Sequence, residues 1–361
     1  MIVKSLELYN YRNYENLSIS FDKGVNILYG DNAQGKTNIL EAIYLSGTTK
    51  SHRGSKDREI IQLKKDESHI RLLLERDGVG HRIDMHLKRN KSKGIAIDGI
   101  PIKKSSELLG LLNIVSFSPE DLSIIKNGPS ERRRFIDLEL CQLSKVYLYN
   151  LTRYNKIVNQ RNNLLKQISF DRSLIDTLSI WNEQLLEYGS LVIKARTEFM
   201  EQLNEIVYGI HKKLSGGKED LCIKYEPNVT LELFEDKIKK AVDRDIQMKM
   251  TTVGPHRDDI MFMIGDVDIR KYGSQGQQRT SALSLKLAEI ELVKRAIKDE
   301  PILLLDDVLS ELDRNRQNYL LDSIDEIQTF VTCTGLEEFV NKRLQINKIY
   351  KVVNGTVIDK K

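Results

Sequence analysis

The eight residues GDNAQGKT, from Gly30 to Thr37, restrict what this chain can fold into more than any other stretch. They match the pattern G-x-x-x-x-G-K-[ST]. They lie between VNILYG, which reads as a short buried strand, and KTNILEAIYLSG, which places Ile39, Leu40 and Ile43 on one side of a helix. A glycine-bounded loop in that position leaves the first amides of the helix without carbonyl partners, so they are available to phosphate oxygens. Lys36 adds a compact positive charge there, and Thr37 offers a hydroxyl to Mg²⁺. With glycine at about 7% of residues, such a match arises by accident in roughly one chain in a hundred of this length, before the strand and helix context is counted. The expectation is a nucleotide phosphate site built from Gly30, Asp31, Asn32, Ala33, Gln34, Gly35, Lys36 and Thr37.

ILLLDD, Ile302 to Asp307, is a buried-strand run ending in two carboxylates. That form is needed where the C-terminal end of a strand delivers a metal-holding acid beside phosphates, and Asp306 is the expected Mg²⁺ partner. Asp307 is then placed to orient or deprotonate an attacking water; the alternative is that the two acids cap the next turn. A third stretch, GSQGQQ from Gly273, opens a long apolar helix from about Gln275 to Ile297. Serine and glycine at a helix N-terminus make another place for an anion.

The rest of the chain falls into two styles. Up to about residue 90 it reads as short strands, IVKSLEL, NLSISF, VNILYG, HIRLLLE and HRIDMHL, interrupted by the helix after the phosphate loop. From Tyr147 the spacing alternates between four and three through Leu151, Tyr154, Val158, Leu165 and Ile168, with Arg161 as one polar break. The spacing resumes at Leu174 and runs through Trp181, Leu185, Val192, Phe199, Gln202 and Ile206 towards SGGKED, which predicts an antiparallel helical hairpin. Its stripe either packs on a local core or forms a protruding coiled-coil arm. Strand patterns then return in LCIKYEP, IMFMIG, PILLLDDV and TFVTCT, with a helix near Arg314 to Ile327, so the outer portions are expected to build one α/β sheet. The division read from these patterns is a head of residues 1–143 and 217–361 carrying a helical insertion of residues 144–216.

Composition removes several classes. At 361 residues, 40% hydrophobic and 30% charged, the chain is ordinary for a globular protein, and no apolar run reaches the eighteen or so residues a membrane helix needs. MIVKSLELYNYRNYENLSI lacks the uninterrupted apolar core of a signal peptide, so the cytoplasm is the expected compartment. Cys141, Cys222 and Cys333 are odd in number and widely spaced, which predicts small core residues and neither a disulfide framework nor a zinc site. The net charge of +4 is mild, and KRNKSK (Lys88 to Lys93) and ERRRF (Glu131 to Phe135) are either solvated surface or basic patches. Beyond the phosphate loop and its acids, no cluster of acids or histidines at metal-ligating spacing appears, which argues against a nuclease.

Taken together, GDNAQGKT, GSQGQQ, LLLDD and SELD (Ser310 to Asp313) occur in the order found in ABC-type ATPases, and the chain resembles that superfamily. Its helical insertion is similar to the arm of the SMC class, though far shorter. Five blocks are similar to the bacterial RecF family of recombination mediators: YNYRNYENLSI (Tyr9 to Ile19), GDNAQGKTNILEAIYL, FSPEDLSIIKNGPSERRRFID (Phe117 to Asp137), TTVGPHRDD (Thr251 to Asp259) and SQGQQRT. They keep a consistent spacing over most of the chain.

The resemblance implies an α/β, ABC/SMC-type phosphate-loop ATPase head with an inserted helical hairpin, binding ATP and Mg²⁺. It implies a head-to-head homodimer in which Ser274, Gly276 and Gln277 of one subunit meet the ATP held by the phosphate loop of the other. Arg12 and Asn13 would approach the nucleotide from the first strand, and Glu120 would substitute for the glutamine that usually stands near its place. DNA would be held through its phosphates by Arg132, Arg133 and Arg134, with Lys88, Arg89, Lys91 and Lys93 behind them. The implied partners are RecR, RecO and RecA in gap repair, with links to replication restart and the SOS response. His52 and Arg53 either reach phosphate or DNA or belong to an exposed loop, and His256 and Arg257 sit in a sequence whose glycine and proline argue for a shaped turn.

One departure carries mechanism. Many ABC ATPases place Glu after the metal-holding Asp, whereas this chain has the shorter Asp307, and misplacement by one methylene implies slow, DNA-stimulated hydrolysis suited to a release timer. Two rival readings are a transporter ATPase subunit and a scaffold that binds ATP without turnover. Against the first stand the long insertion and a signature reading GSQGQ in place of LSGGQ.

Overall fold

Alternation in IVKSLELYNY and ESHIRLLLER makes β1 (Ile2–Tyr11) and β4 (Glu67–Arg76) half-buried strands, apolar side chains inward and polar ones outward. With β2 (Tyr14–Ser20), β5 (Val79–Lys88), β6 (Lys91–Ile97) and β7 (Ile100–Pro101) they form an antiparallel sheet in the order β2-β1-β4-β5-β6-β7. The computed structural model describes residues 1–324, 326–336 and 346–360, the side chains of residues 311 and 360 excepted. It divides into two compact units, and this sheet belongs to the first, Met1–Asp121 with Lys286–Lys361.

The other sheet of that unit is built from runs without alternation. β3 (Val25–Tyr29), β12 (Ile302–Asp306) and β13 (Thr329–Cys333) are buried along almost their whole length, as parallel strands covered on both faces must be. β8 (Ile114–Phe117), β14 (Ile346–Val353) and β15 (Thr356–Lys360) complete the order β15-β14-β3-β13-β12-β8, parallel except for the β14–β15 hairpin. The expectation of one sheet is thus corrected. Of the early strands named from sequence only β3 joins the later ones, because strands that alternate need a polar face and strands that do not need two covers.

α1 (Lys36–Thr48) packs on β8, β12 and β13 from one side and on β4 from the other. It is therefore buried all round from Ile39 to Thr48, not along the single stripe its sequence suggests. Gly47 lets the helix approach closely: a Cβ there would lie 2.6 Å from the Ile114 side chain. α2 (Asp57–Ile60) and α11 (Arg314–Ser323) also belong to this unit.

The second unit, Leu122–Leu285, is wider than the insertion read from periodicity, which began at 144 and ended at 216. It holds α3 (Leu122–Lys126), α4 (Pro129–Leu143), the hairpin of α5 (Lys145–Ile168) and α6 (Leu178–Leu214), α7 (Phe234–Lys240) and α8 (Val242–Met248). A three-stranded sheet, β11-β10-β9, uses β9 (Leu221–Glu226), β10 (Asp259–Ile264) and β11 (Val267–Asp268), and α9 (Ile269–Tyr272) follows. α10 (Gln275–Ile297) begins in this unit and ends in the first. The boundary moved because α6 packs on β9 and α7 as well as on α5, and α4 packs on β10.

In α5 the seam residues Tyr147, Tyr154, Val158, Arg161, Leu165 and Ile168 are all buried. In α6 the buried set drifts off a strict heptad, taking in Gly189, Ile193, Arg196, Met200 and Leu203 while Gln202 is exposed. This is the packed alternative of the two left open, since a seam facing one partner helix would stay narrow. No helix among the described residues is long and apolar enough to cross a membrane.

Candidate nucleotide-binding site

The loop after β3 turns through left-handed backbone at Gly30 (φ 152°), Ala33 (φ 63°) and Gly35 (φ 117°). Both glycines are also crowded: a Cβ would lie 2.3 Å from the Val352 carbonyl oxygen at Gly30, and 2.6 Å from Asn13 Nδ2 at Gly35. The loop is held from outside by two turns. From the β1–β2 turn, Asn13 Nδ2 donates to the Gln34 carbonyl (2.9 Å) and the Tyr14 hydroxyl donates to the Gly35 carbonyl (3.0 Å). Burial pushes the Tyr14 phenol well up, so it stays a donor. From the β14–β15 turn, the amide of Asn354 donates to Gln34 Oε1 (2.6 Å) and that of Gly355 to the Gln34 carbonyl (3.2 Å).

Inside this frame Lys36 is buried, and its Nζ donates to the carbonyls of Gly30 (2.5 Å) and Asp31 (2.9 Å). In the first turn of α1 the Asn38 amide donates to the Gly35 carbonyl (3.0 Å), while the amides before it point out of the helix start, where the dipole favours negative charge. Thr37 Oγ1 donates to Asp306 Oδ1 at 2.8 Å, bringing together residues 269 positions apart. β13 lies between β3 and β12, and its Thr332 hydroxyl donates to the same oxygen (2.7 Å) while accepting from the amide of Asp307 (2.9 Å). Asp307 itself adopts left-handed backbone (φ 58°), which turns the chain out of the strand directly after Asp306. Its carbonyl accepts from the Ser310 hydroxyl (2.8 Å), so the following turn is closed by backbone and serine. Of SELD, the side chain of Glu311 lies outside the described residues. A buried ammonium, helix-start amides, a hydroxyl and a carboxylate form a donor set that fits a magnesium nucleotide.

Arg12, expected to approach the nucleotide from the first strand, is engaged here with α1 and the segment that follows it. Its guanidinium donates to Glu41 from Nε (2.8 Å) and Nη2 (2.6 Å), to Ser55 (2.6 Å) and to the Glu59 carbonyl (2.9 Å). Burial alone would raise the Glu41 carboxyl, but hydrogen bonds from Arg12 and Ser51 outweigh it and hold the group below its ordinary range. Arg12 thus neutralises a fully buried acid on α1, and Asn13 is the residue that reaches the loop. His52 packs edge-on against Tyr44 (5.3 Å between ring centroids), and burial lowers its pKa. Arg53 is exposed and donates to Asn38 Oδ1 (3.4 Å), and Glu120 is exposed in the turn Pro119–Asp121.

Among the second unit's residues, Ser274 and Gln277 form a reciprocal cap on α10: Ser274 N donates to Gln277 Oε1 (3.0 Å) and Gln277 N donates to Ser274 Oγ (3.2 Å). Gln277 Nε2 also donates to Glu219 (2.9 Å), and the buried Gln278 donates to the Ile269 carbonyl (2.8 Å). Ser274, Gln275 and Gly276 are exposed. The cap uses the serine oxygen as acceptor and leaves its O–H able to turn outward.

The basic candidates separate. Arg132 is only 4% exposed, and it donates to Asp259 (2.5 and 3.1 Å) and to the carbonyls of Ile124, Ile125 and Asn127, so it is a core residue and not a DNA contact. Successive helical residues lie 100° apart, so a run of three arginines on a packed helix must turn one inward. Arg133 is half-buried and donates to the Asp258 carbonyl (2.6 Å), whereas Arg134 is exposed. Lys93 is likewise taken up by the Thr49 carbonyl (2.5 Å) and Asp57 (3.0 Å). Arg89 is exposed and donates to the Lys65 carbonyl (3.0 Å); Lys91 is exposed and Lys88 half-buried.

GPHRDD is a structural turn. His256 Nε2 donates to the Thr251 carbonyl (3.0 Å), which leaves Nδ1 to accept from the Tyr154 hydroxyl (2.6 Å), and burial pushes this imidazole down to about 4. Arg257 Nη2 donates to the same carbonyl (3.3 Å). Sequence reasoning missed Thr332, Tyr14 and the Asn354–Gly355 turn, although an Asn-Gly pair between apolar runs is a hairpin signal that could have found the last.

A family model described as the RecF/RecN/SMC N terminal domain matches residues 2–358. The chain is 70% identical over 357 residues to the DNA replication and repair protein RecF of Lachnoclostridium phytofermentans, covering 99% of each. It is 46% identical over 362 residues to the protein of that name from Clostridium perfringens strain 13, again covering 99% of each. Among solved structures it is similar to the recombination mediator protein RecF with ATP, of the RecFOR pathway, with a TM-score of 0.94 at 36% identity over 100% of this chain and 98% of that one. The Smc head domain of Pyrococcus furiosus bound to part of ScpA shares the fold alone, with a TM-score of 0.58 at 18% identity over 99% and 96% of the two chains.

Proposed function

The chain belongs to the RecF family within the RecF/RecN/SMC group, and from that membership we propose that it is a cytoplasmic, ATP-dependent DNA-binding protein of recombinational gap repair. Its two halves of one site, the phosphate loop with Asp306 and the exposed Ser274 cap, act across a homodimer that grips DNA. The observation that carries this reading is the Ser274–Gln277 cap, which places the exposed serine at a second anion-favouring helix start.

Bound Mg-ATP supplies the phosphoryl group that is transferred to water. Lys36 and the first amides of α1 hold its negative charge, and Thr37 and Asp306 offer oxygens to the metal. Asp307, directly after Asp306 at the end of β12, positions the water and takes its proton, and its short side chain makes that step slow. Ser274, Gly276 and Gln277 read the phosphate held by the other subunit, so closure depends on nucleotide state. Arg134, Lys88, Arg89 and Lys91, with the half-buried Arg133, meet DNA phosphates, which makes binding salt-sensitive and weakly sequence-selective. RecR, RecO and RecA are the partners in loading at gaps, with replication restart and SOS induction as wider consequences.

Light scattering of the full chain with no nucleotide, with ADP and with Mg-ATP tests the proposal. The mass should double only with Mg-ATP, and Ser274→Arg should abolish the doubling. A wild-type monomer under all three conditions, with duplex DNA added as well, would overturn the clamp.

A further inference from the structure

The structure assigns a second cation site, remote in sequence from the phosphate loop, to Glu67, His69 and His86 on the outer face of the antiparallel sheet: we propose that these three side chains bind Zn²⁺. Nothing in the proposed ATP chemistry uses them.

Glu67 and His69 are two residues apart on β4 and therefore share a face, and His86 of β5 stands directly opposite His69. One ligand atom from each lies within 4.8 Å of the other two. The two carboxylate oxygens of Glu67 are divided between the rings, Oε2 at 2.9 Å from His86 Nε2 and Oε1 at 3.8 Å from His69 Nε2. The imidazoles are stacked, 4.0 Å between centroids and 23° between planes.

Two imidazole nitrogens and a carboxylate oxygen suit a borderline divalent cation better than Mg²⁺ or Ca²⁺, which prefer oxygen alone. Bonds of about 2.0–2.1 Å at tetrahedral angles put ligand atoms roughly 3.3 Å apart, so small side-chain rotations close the present spacing. Both histidines line a cleft of about 730 Å³, with Tyr9, Pro101 and Ile102 among its other lining residues, which gives solvent and metal an entry path. A cation here would join β4 to β5 side chain to side chain.

The test titrates Zn²⁺ alone into nucleotide-free full-length protein by calorimetry, with His69→Ala, His86→Ala and Glu67→Gln as variants. His81→Ala, a histidine on the same sheet paired with Asp98 at 2.9 Å, is the control. One saturable Zn²⁺ per chain is expected, weakened at least ~10-fold in each site variant and unchanged in the control. The three side chains are on a solvated face, so the variants should fold, as checked by urea midpoint. Co²⁺ bound to the wild type gives an independent reading, since visible bands of a tetrahedral nitrogen and oxygen site should appear and be displaced by Zn²⁺. Equal Zn²⁺ binding in the wild type and in His69→Ala and His86→Ala, or no saturable binding by the wild type, would overturn the assignment.

Discussion

As sequence, the phosphate loop of the first unit and the GPHRDD turn of the other unit are alike, both glycine-bearing and rich in polar residues, yet they end as opposites. Around the GPHRDD turn the polar atoms use each other up. Arg196 donates to Asp137 (2.7 Å), Asp258 (2.9 Å) and the Pro255 carbonyl (2.6 Å), Asp258 also accepts from Tyr225 and from the amide of Asn228, and the arginine is 2% exposed. Around the phosphate loop capacity is left over. Asp306 receives both hydroxyls on Oδ1, and the hydrogen bonds of Lys36 among the described residues go to loop carbonyls. A polar cluster is mortar when its bonds close on themselves and a site when they do not.

That contrast breaks most visibly at Arg196. Arg196→Met leaves Asp137 and Asp258 without their cation and should cost about 3–5 kcal/mol in urea unfolding. A midpoint like that of the wild type would mean the cluster is not what holds the second unit together. The next effect is a pH dependence. His256 is neutral in the fold at about 4 against an ordinary 6.5, so its unfolded form binds the proton more readily. Stability from this group is full above the ordinary value and is lost as pH falls from there towards the folded value, by up to ~3 kcal/mol. His256→Gln should flatten the urea-midpoint profile over that window, and an unchanged profile would remove the histidine from the account. The smallest effect on stability belongs to the site. Lys36→Ala should move the urea midpoint little, yet weaken ATP binding by roughly 10–100-fold in calorimetry, the worth of one charge-assisted bond. A stability loss as large as that of Arg196→Met would erase the distinction between mortar and site.

Much of this was legible before any coordinates. The loop with its Lys36 and Thr37, the strand that ends at Asp306, the helix start at Ser274 and the two long helices are all statements about backbone demands and periodicity, which neighbours in sequence impose. The illegible parts share one cause, dependence on a partner far along the chain. Arg161 reads as a flaw in the α5 seam, but it is fully buried and bonded to Asp245 (2.6 Å), Thr251 (2.9 Å) and Asn182 (2.9 Å). Nothing in the sequence pairs Arg12 with Glu41, and three adjacent arginines read alike until packing buries one.

The same limit explains the histidines. His69 and His86 have no metal spacing along the chain, because their distance is set by strand register and not by sequence separation. Sequence by itself determined where strands, helices and the phosphate loop form, since those follow from φ preferences and side-chain period. Only the tertiary structure decided which charges are spent internally and which remain for a ligand, because hydrogen bonds and burial are settled between segments that meet after the chain has folded.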